Sequence, residues 1–114
     1  MNWLPLIAEE QLMEISLLSE QSTIQAVVIF KHSTRCSVSS LALNRLERTW
    51  NQADNNIPAY FLDLIKFRNI SDKIAEKYAV RHESPQILVI KNGKCIYNAS
   101  HANISLPDIR AAIS

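Results

Sequence analysis

The chain has 114 residues and a formal net charge of +1, with 47% hydrophobic and 20% charged residues. These values are typical of one globular, soluble domain, and they exclude the strongly basic surface of a nucleic-acid binder. The apolar runs are too short for a membrane-spanning helix, and the amino terminus lacks the basic segment that begins a signal peptide. We therefore expect a single cytoplasmic domain over residues 1–114, with neither nucleic-acid nor membrane partners.

The rare residue types narrow the class further. Gly93 is the single glycine, which excludes a P-loop and a glycine-rich dinucleotide fingerprint. Cys36 and Cys95 are the two cysteines, too few for the disulfide framework of a small secreted scaffold. Two free thiols in a reducing compartment are therefore expected.

The first half of the chain predicts a helix, a strand and a second helix. Residues 9–18 place apolar side chains on one helical face. Residues 26–30, Ala-Val-Val-Ile-Phe, form a continuous apolar run that is typical of a strand buried on both faces. A polar loop over residues 31–35 leads to Cys36, and residues 37–50 carry an apolar stripe with helical spacing.

The second half begins with a predicted buried strand over residues 58–64. Asn69 or Ser71 is expected to cap a third helix, which ends near residue 79. Ser105 is expected to cap the final helix, with Pro107 in its first turn.

Between these two helices the pattern predicts a β-hairpin. Residues 85–91 and 94–100 read as strands, and Asn92-Gly93 is a strong turn signal. Two buried strands joined by a helix imply a right-handed parallel crossover, and the hairpin adds antiparallel pairing. The fold class is therefore α/β: a central mixed four-stranded sheet with helices on both faces, a carboxyl-terminal β-hairpin and an extra amino-terminal helix.

Cys36 is the position best suited to chemistry, because it ends a loop after a central strand and begins a helix. A thiol there faces free backbone N–H groups and the positive end of the helix dipole, and both stabilise a thiolate. Residues 21–46 contain no Asp or Glu, whereas Lys31, Arg35 and Arg45 are present. We predict a reactive nucleophile; the alternative is a buried, inert cysteine.

Ser39 occupies the place of the second cysteine of a C-x-x-C pair. A hydroxyl cannot attack the mixed disulfide that the first cysteine forms, so the sequence predicts a one-cysteine mechanism. In this mechanism Cys36 attacks a substrate disulfide, keeps the thiol that it removes, and is reset by a second thiol from outside. Ser39 can either hydrogen-bond the Cys36 thiolate or cap the helix.

Cys95 is not expected to resolve that adduct. It follows the turn by two residues, and the strand before the turn carries the chain roughly 26 Å from Pro85. The hairpin register, with Pro85 facing about Ser100, instead returns His101 to the Cys36 end. His101 is therefore a candidate to stabilise the thiolate or to move a proton to the leaving sulfur. The alternative is a solvated loop histidine.

The remaining histidines carry weaker predictions. His32 is expected to point away from Cys36, and His82 to decorate the loop before Pro85. The chain contains no C-x-x-C or H-x-x-x-H pair, so we expect no metal site and no bound cofactor.

Two segments together resemble a known family. Residues 74–94, IAEKYAVRHESPQILVIKNGK, are similar to the carboxyl-terminal half of a thioredoxin, with a helix ending in K-Y-x-V, a cis-proline, a strand and an N-G hairpin. Residues 30–39, FKHSTRCSVS, resemble more specifically the monothiol bacilliredoxins, the YtxJ-like family. Those proteins carry a K-H-S-T-x-C-P-I-S active site and an H-E-S-P-Q segment. Ser100, His101 and Ile104 match their later S-H-x-x-I, so the resemblance covers nearly the whole chain.

The resemblance implies a thioredoxin-like fold and the removal of the low-molecular-weight thiol bacillithiol from protein mixed disulfides. Cys36 is then the nucleophile, and Pro85 is the cis-proline beside it. The Ser84 backbone would present an edge to an extended substrate. The partners would be S-thiolated proteins, the small thiol as co-substrate, and another redoxin in the resetting step. The site residues expected around Cys36 fall into two groups: thiolate-stabilising Ser39, Arg35 and His101, and substrate-groove Thr34, Ser37, Ser84 and Pro85.

Two departures from the related families affect the chemistry. Ser37 replaces the proline that usually follows the cysteine, which frees a backbone N–H. Phe30 stands where dithiol thioredoxins keep a buried acid that helps to deprotonate their second cysteine. The absence of that acid fits a Cys36 that acts alone.

Two other functions compete with this interpretation. One is a non-catalytic thioredoxin-like module that binds a partner beside Pro85. The other is an iron–sulfur-bridging monothiol glutaredoxin, which would need C-G-F-S and a downstream glycine pair that this sequence lacks. Glutathione or another small thiol in place of bacillithiol also stays open.

Overall fold

A computed structural model of the chain describes residues 2–51, 54 and 56–114. The strands in the described part are β1 Trp3–Pro5, β2 Val27–His32, β3 Ala59–Asp63, β4 Gln86–Lys91 and β5 Lys94–Ser100. The helices are α1 Gln11–Leu18, α2 Ser37–Thr49, α3 Arg68–Tyr78 and α4 Leu106–Ile113, with a 3-10 turn over His101–Asn103. No helix in this part of the chain has the length and apolar content needed to cross a membrane.

The strands form one mixed sheet in the order β1-β3-β2-β4-β5. β2 is parallel to β3 and antiparallel to β4, and β5 closes the hairpin. The predicted parallel crossover and hairpin are therefore confirmed. The predicted strand count is wrong, because β1 pairs in parallel with β3 as a fifth, edge strand. Three residues that include a proline and an exposed Leu4 show no strand periodicity, so sequence patterning missed β1.

Helices cover both faces of the sheet, as predicted. On one face, called here the α3 face, buried residues of α1 and α3 such as Ile15 and Ile74 pack with Val27 and Ile29 of β2. On the other, the α2 face, buried residues of α2 and α4 pack with Val28 and Phe30. Successive residues of β2 therefore point to opposite faces along its whole length.

β2 is longer than predicted. Residues Lys31 and His32, assigned to a polar loop by their character, continue the strand and are both buried. Lys31 faces Leu62 on β3 and Gln86 on β4. These polar side chains tolerate burial because each finds a hydrogen-bond partner within the protein.

The caps of the two later helices came out differently. Phe67 is the N-cap of α3, so neither Asn69 nor Ser71 caps that helix, and Ser71 is instead buried within it. The Ser105 prediction is confirmed, since its side chain accepts a hydrogen bond from the Asp108 N–H at 3.3 Å.

The hairpin turn forms at Asn92 and Gly93, which have φ values of 52° and 76°. Both residues sit in the left-handed region that this tight turn requires. A bulge between Val89 and Ile90 shifts the pairing, so that Gln86 faces Ser100. The predicted register is therefore wrong by one residue, although Ser100 still returns to the predicted end of the sheet.

Candidate functional site

Cys36 lies where β2 gives way to α2. It is the N-cap residue of α2, in extended backbone, and its thiol is free and partly exposed. Its backbone N–H donates to the Ser33 carbonyl at 3.1 Å, closing a tight loop before the helix. The first turn of α2 contains no acidic residue. The sulfur therefore sits beside the positive end of a thirteen-residue helix dipole with no carboxylate in that turn to oppose a negative charge.

Ser39 does more than the sequence indicated. It is fully buried, and its Oγ accepts the Ser33 N–H at 3.0 Å and lies 2.6 Å from His32 Nδ1. Neither of the two predicted roles is the one seen, because Ser39 binds the loop on the amino-terminal side of Cys36 instead. The hydroxyl ties the first turn of α2 to the end of β2, which fixes both ends of the loop that carries the thiol.

His32 makes contacts beneath the Cys36 loop that the sequence did not predict. Its ring packs between Phe30 and Phe61, with ring centroids 5.8 and 5.2 Å away. Burial lowers the pKa of His32, against a smaller opposing effect of Asp63. A neutral ring at pH 7 then lets the Ser39 O–H donate to Nδ1. The spacing of two from Phe30 on an alternating strand is the signal that places His32 on the α2 face.

The three cations of the acid-free segment end up in three places. Arg35 is exposed and precedes Cys36 in the chain, and its thiolate-stabilising role stays a prediction. Arg45 lies further along α2, where its Nη1 donates to the carbonyls of Ala102 and Ile104. Lys31 points to the α3 face, toward His82. Only Arg35 is thus adjacent in the chain to the nucleophile, and the other two cations serve contacts elsewhere.

The residues of the predicted substrate groove line the same loop and its neighbour. Thr34 and Ser37 are exposed on either side of Cys36. Ser84 and the buried Pro85 precede β4 and are joined by a cis peptide bond, as the resemblance implied. The Ser84 Oγ is buried with no hydrogen-bond partner among the residues described.

His101 returns to the Pro85 end of the sheet. Its backbone N–H donates to the Pro85 carbonyl at 3.1 Å, and it has a φ of 56°. Its ring, however, lies 3.5 Å from a Glu83 carboxylate oxygen, and Ser100 Oγ donates to the same oxygen at 2.6 Å. The Ser100 hydroxyl is the main cause that lowers the pKa of Glu83, and His101 adds to it. Sequence reasoning missed this acidic partner of His101.

His82 is not a loop decoration. Its Nδ1 lies 3.3 Å from the Lys31 Nζ and 3.2 Å from the Ser71 Oγ. These contacts bind the segment before Pro85 to β2 and α3. Nothing in the local sequence indicates them, since Lys31 and His82 are 51 positions apart.

Cys95 is remote from this loop in the topology. It lies two residues after Gly93, is half-buried against the α3 face, and donates through Sγ to the Tyr97 carbonyl at 3.3 Å. Burial raises the pKa of Cys95. Both thiols are free, so the two cysteines are not paired with each other. Within residues 2–51, 54 and 56–114 no cluster of three His, Cys, Asp or Glu side chains is suited to hold a metal.

This architecture defines a thioredoxin fold with one cysteine at the start of α2. A candidate oxidoreductase with a thioredoxin fold matches it with a TM-score of 0.80 and 27% identity, over 97% of this chain and 93% of the other. Thioredoxin from Malassezia sympodialis matches with a TM-score of 0.70 and 19% identity, over 98% and 88%. Thioredoxin from Trypanosoma brucei brucei matches with 0.67 and 17%, over 98% and 88%. The latter two likenesses concern the fold alone.

The sequence also matches a specific family. Residues 5–109 match the monothiol bacilliredoxin BrxC family, and the chain belongs to it. The resemblance stated from residues 30–39 and 74–94 is thereby confirmed. Family and fold together support a thiol oxidoreductase role for this protein.

Proposed function

We propose that this protein is a monothiol thiol-disulfide oxidoreductase that removes a low-molecular-weight thiol, bacillithiol, from protein mixed disulfides. The observation that carries the proposal is the placement of Cys36 as the partly exposed N-cap of α2, with Ser39 in place of a second cysteine. Membership of the monothiol bacilliredoxin family supports it.

The proposed reaction is a thiol-disulfide exchange in two steps. The Cys36 thiolate attacks the small-thiol sulfur of an S-thiolated protein, and the mixed disulfide breaks. The protein thiolate leaves and takes a proton from His101, which regains one from solvent, while Cys36 keeps the small thiol as a new mixed disulfide. A second small-thiol thiolate then attacks the small-thiol sulfur of that adduct, which releases a small-thiol disulfide and regenerates Cys36. Another redoxin dithiol can perform the second step instead.

Residues around Cys36 have matching tasks in this proposal. The helix terminus and Arg35 favour the thiolate, both before the attack and when Cys36 is the leaving group. The Ser84–Pro85 segment receives the substrate as an extended chain, and Thr34 and Ser37 border it. His101, which Glu83 holds at the Pro85 end, delivers the proton to the departing protein sulfur.

The decisive experiment uses Cys36→Ser with Cys95→Ser as the matched control. A protein carrying a bacillithiol mixed disulfide is mixed with each variant, and release of the free protein thiol is followed. We expect Cys36→Ser to lose at least about 1,000-fold in rate because the attacking thiolate is gone. Cys95→Ser should stay within about twofold, since the turn end takes no part in the exchange.

Mass spectrometry of the wild type after exposure to bacillithiol disulfide and to glutathione disulfide identifies the small thiol. An adduct on Cys36 that forms faster from bacillithiol supports the proposed co-substrate. Full dethiolation by Cys36→Ser would overturn the proposed function. An adduct that forms only from glutathione would overturn the bacillithiol assignment alone.

A further inference from the structure

A buried polar group lies beneath the segment that leads to Pro85. Lys31 is a charged side chain that is 0% exposed, and its β2 neighbours on the α3 face are Val27 and Ile29 of the apolar cluster. Its Nζ has one hydrogen-bond partner among the described residues, His82 Nδ1 at 3.3 Å. Gln86, which faces Lys31 across the β2–β4 pair, is 1% exposed and donates through Nε2 to the Arg81 carbonyl at 2.9 Å. Two buried side chains thus bind two consecutive residues of one loop.

His82 also contacts helix α3. Its Nδ1 also lies 3.2 Å from the Ser71 Oγ, and Ser71 is fully buried. The ammonium form of Lys31, which a pKa of about 8 favours at pH 7, only donates, so Nδ1 is the acceptor in this contact and the ring proton is on Nε2. Burial lowers the pKa of His82, and the nearby cations Lys31 and Arg68 lower it further. All three effects keep the ring in the neutral form that this contact needs.

The buried amine is a poor choice for stability alone. Burial lowers the pKa of Lys31 to about 8, and Asp72 on α3 opposes this only in part. An apolar side chain of similar length would join the cluster of the α3 face without that desolvation penalty. What Lys31 adds is a directional bond to one residue of the 81–85 segment.

That segment ends at the proposed site. Ser84 and Pro85 follow His82 by two and three residues, and the Pro85 carbonyl is bound by the His101 N–H at 3.1 Å. The segment is therefore held at its start by Lys31, Ser71 and Gln86, and at its end by His101. Ser84 lies between the two attachments.

We propose that Lys31 and His82 are positioning residues that set the Ser84 backbone at the place where a disulfide substrate docks beside Cys36. They act through the 81–85 segment and do not touch the reacting sulfurs. This inference rests on the proposed function of Cys36 as the attacking thiol. It extends the substrate site by two residues that lie on the other, α3 face of the sheet.

The test compares two rates for the same sulfur. One is the reaction of Cys36 with a peptide whose cysteine carries an aromatic thiol leaving group, which requires docking. The other is the reaction with iodoacetamide, which requires only the thiolate. All variants are made in Cys95→Ser protein, so that Cys36 is the one reacting thiol.

Lys31→Met and His82→Leu should slow the peptide reaction roughly five- to tenfold while the iodoacetamide rate stays within about twofold, because the docking edge is displaced and the nucleophile is not. His82→Asn keeps an acceptor near the position of Nδ1 and should recover most of the peptide rate. His82→Gln moves the acceptor toward the position of Nε2 and should not. Lys91→Met is the matched control, since Lys91 Nζ binds the Gln25 carbonyl at the opposite end of β4.

The inference is overturned by any of three results. These are wild-type peptide rates in Lys31→Met and His82→Leu, a parallel fall in both rates, or equal behaviour of His82→Asn and His82→Gln. Circular dichroism establishes that each compared variant is folded, and the Asn–Gln pair keeps the test open if His82→Leu is not. Failure of the proposed function would look different. The wild type would then not remove bacillithiol from proteins, but the peptide rates of the variants would still differ in the predicted order.

Discussion

The two ends of the central sheet each have a loop that is anchored in the same way, but the cysteines at these ends lie in different environments. At each end a buried serine accepts a loop N–H: Ser39 binds the Ser33 amide at 3.0 Å, and Ser19 binds the Gly93 amide at 2.9 Å. Each end also carries one free cysteine. Cys36 sits at a helix N-terminus, whereas Cys95 packs half-buried against the α3 face.

This difference indicates that a rigid loop alone does not make a cysteine reactive. Both thiols are near a well-anchored turn, so anchoring does not distinguish them. They differ in their surroundings: Cys36 is the N-cap residue of α2, at the positive end of the helix dipole, whereas burial raises the pKa of Cys95. We therefore predict that position relative to the helix terminus decides which cysteine reacts.

The comparison fails first if the two thiols react alike. At pH 7 we expect iodoacetamide to modify Cys36 about 10- to 100-fold faster than Cys95, measured by mass spectrometry of the two peptides. Because the pKa of Cys95 is raised, its rate should keep increasing with pH above the range where an unperturbed thiol has levelled off. Equal rates at pH 7 would remove the electrostatic distinction.

The two serines provide a matched pair of substitutions. Ser39→Ala and Ser19→Ala each remove the acceptor of a backbone N–H, so each should lower the free energy of unfolding by about 1–3 kcal/mol in urea titrations. Only Ser39→Ala should also change the alkylation rate of Cys36, because it alone releases the loop that carries the thiol. An equal effect of Ser19→Ala on that rate would show that the turn end is coupled to the site.

Lys31 and Lys91 lie at opposite ends of the sheet, and the pH dependence of stability should distinguish them. The pKa of Lys31 is about 8 in the folded protein against 10.5 in the unfolded chain, so between these values the unfolded state binds more protons. Stability should then rise by on the order of 1–2 kcal/mol from pH 7.5 to 9.5, relative to Lys31→Met. The same pH series with Lys91→Met serves as the control and should parallel the wild type. If the difference in unfolding free energy between the wild type and Lys31→Met did not change with pH, the lowered pKa of Lys31 would be refuted.

The smallest effect is expected at the turn end itself. Cys95→Ser should cost less than about 1 kcal/mol of unfolding free energy, because the new hydroxyl can keep the bond to the Tyr97 carbonyl. Thermal unfolding followed by circular dichroism measures it. A much larger loss would mean that the sulfur packs as a true core side chain rather than at its margin.

Sequence patterning found the parts of the fold whose signals are local. The apolar runs of β2, β3 and β4, the Asn92-Gly93 turn and the Ser105 cap are such signals, and all five are present. β1 and the Phe67 cap of α3 were missed, because a three-residue edge strand and a non-polar cap depend on tertiary pairing.

The candidate site divides in the same way. Cys36 and the Ser84–Pro85 segment are recognisable because a strand-to-helix junction and an H-E-S-P segment are short patterns. The His32–Ser39 and Lys31–His82 contacts depend on how strands and helices pack in space, and the residue types alone placed Lys31, His32 and His82 in loops. Both contacts involve the end of β2, where polar residues continue the strand beyond its apolar run.

The tryptophans give the molecule a one-sided optical probe. Trp3 packs against Phe30 and Phe61, and its Nε1 donates to Glu47 on α2 at 3.2 Å. Trp50 packs on the same cluster at the end of α2. Tryptophan emission should therefore respond when the helix bearing the reactive sulfur shifts, and remain silent to rearrangements confined to the layer around α3.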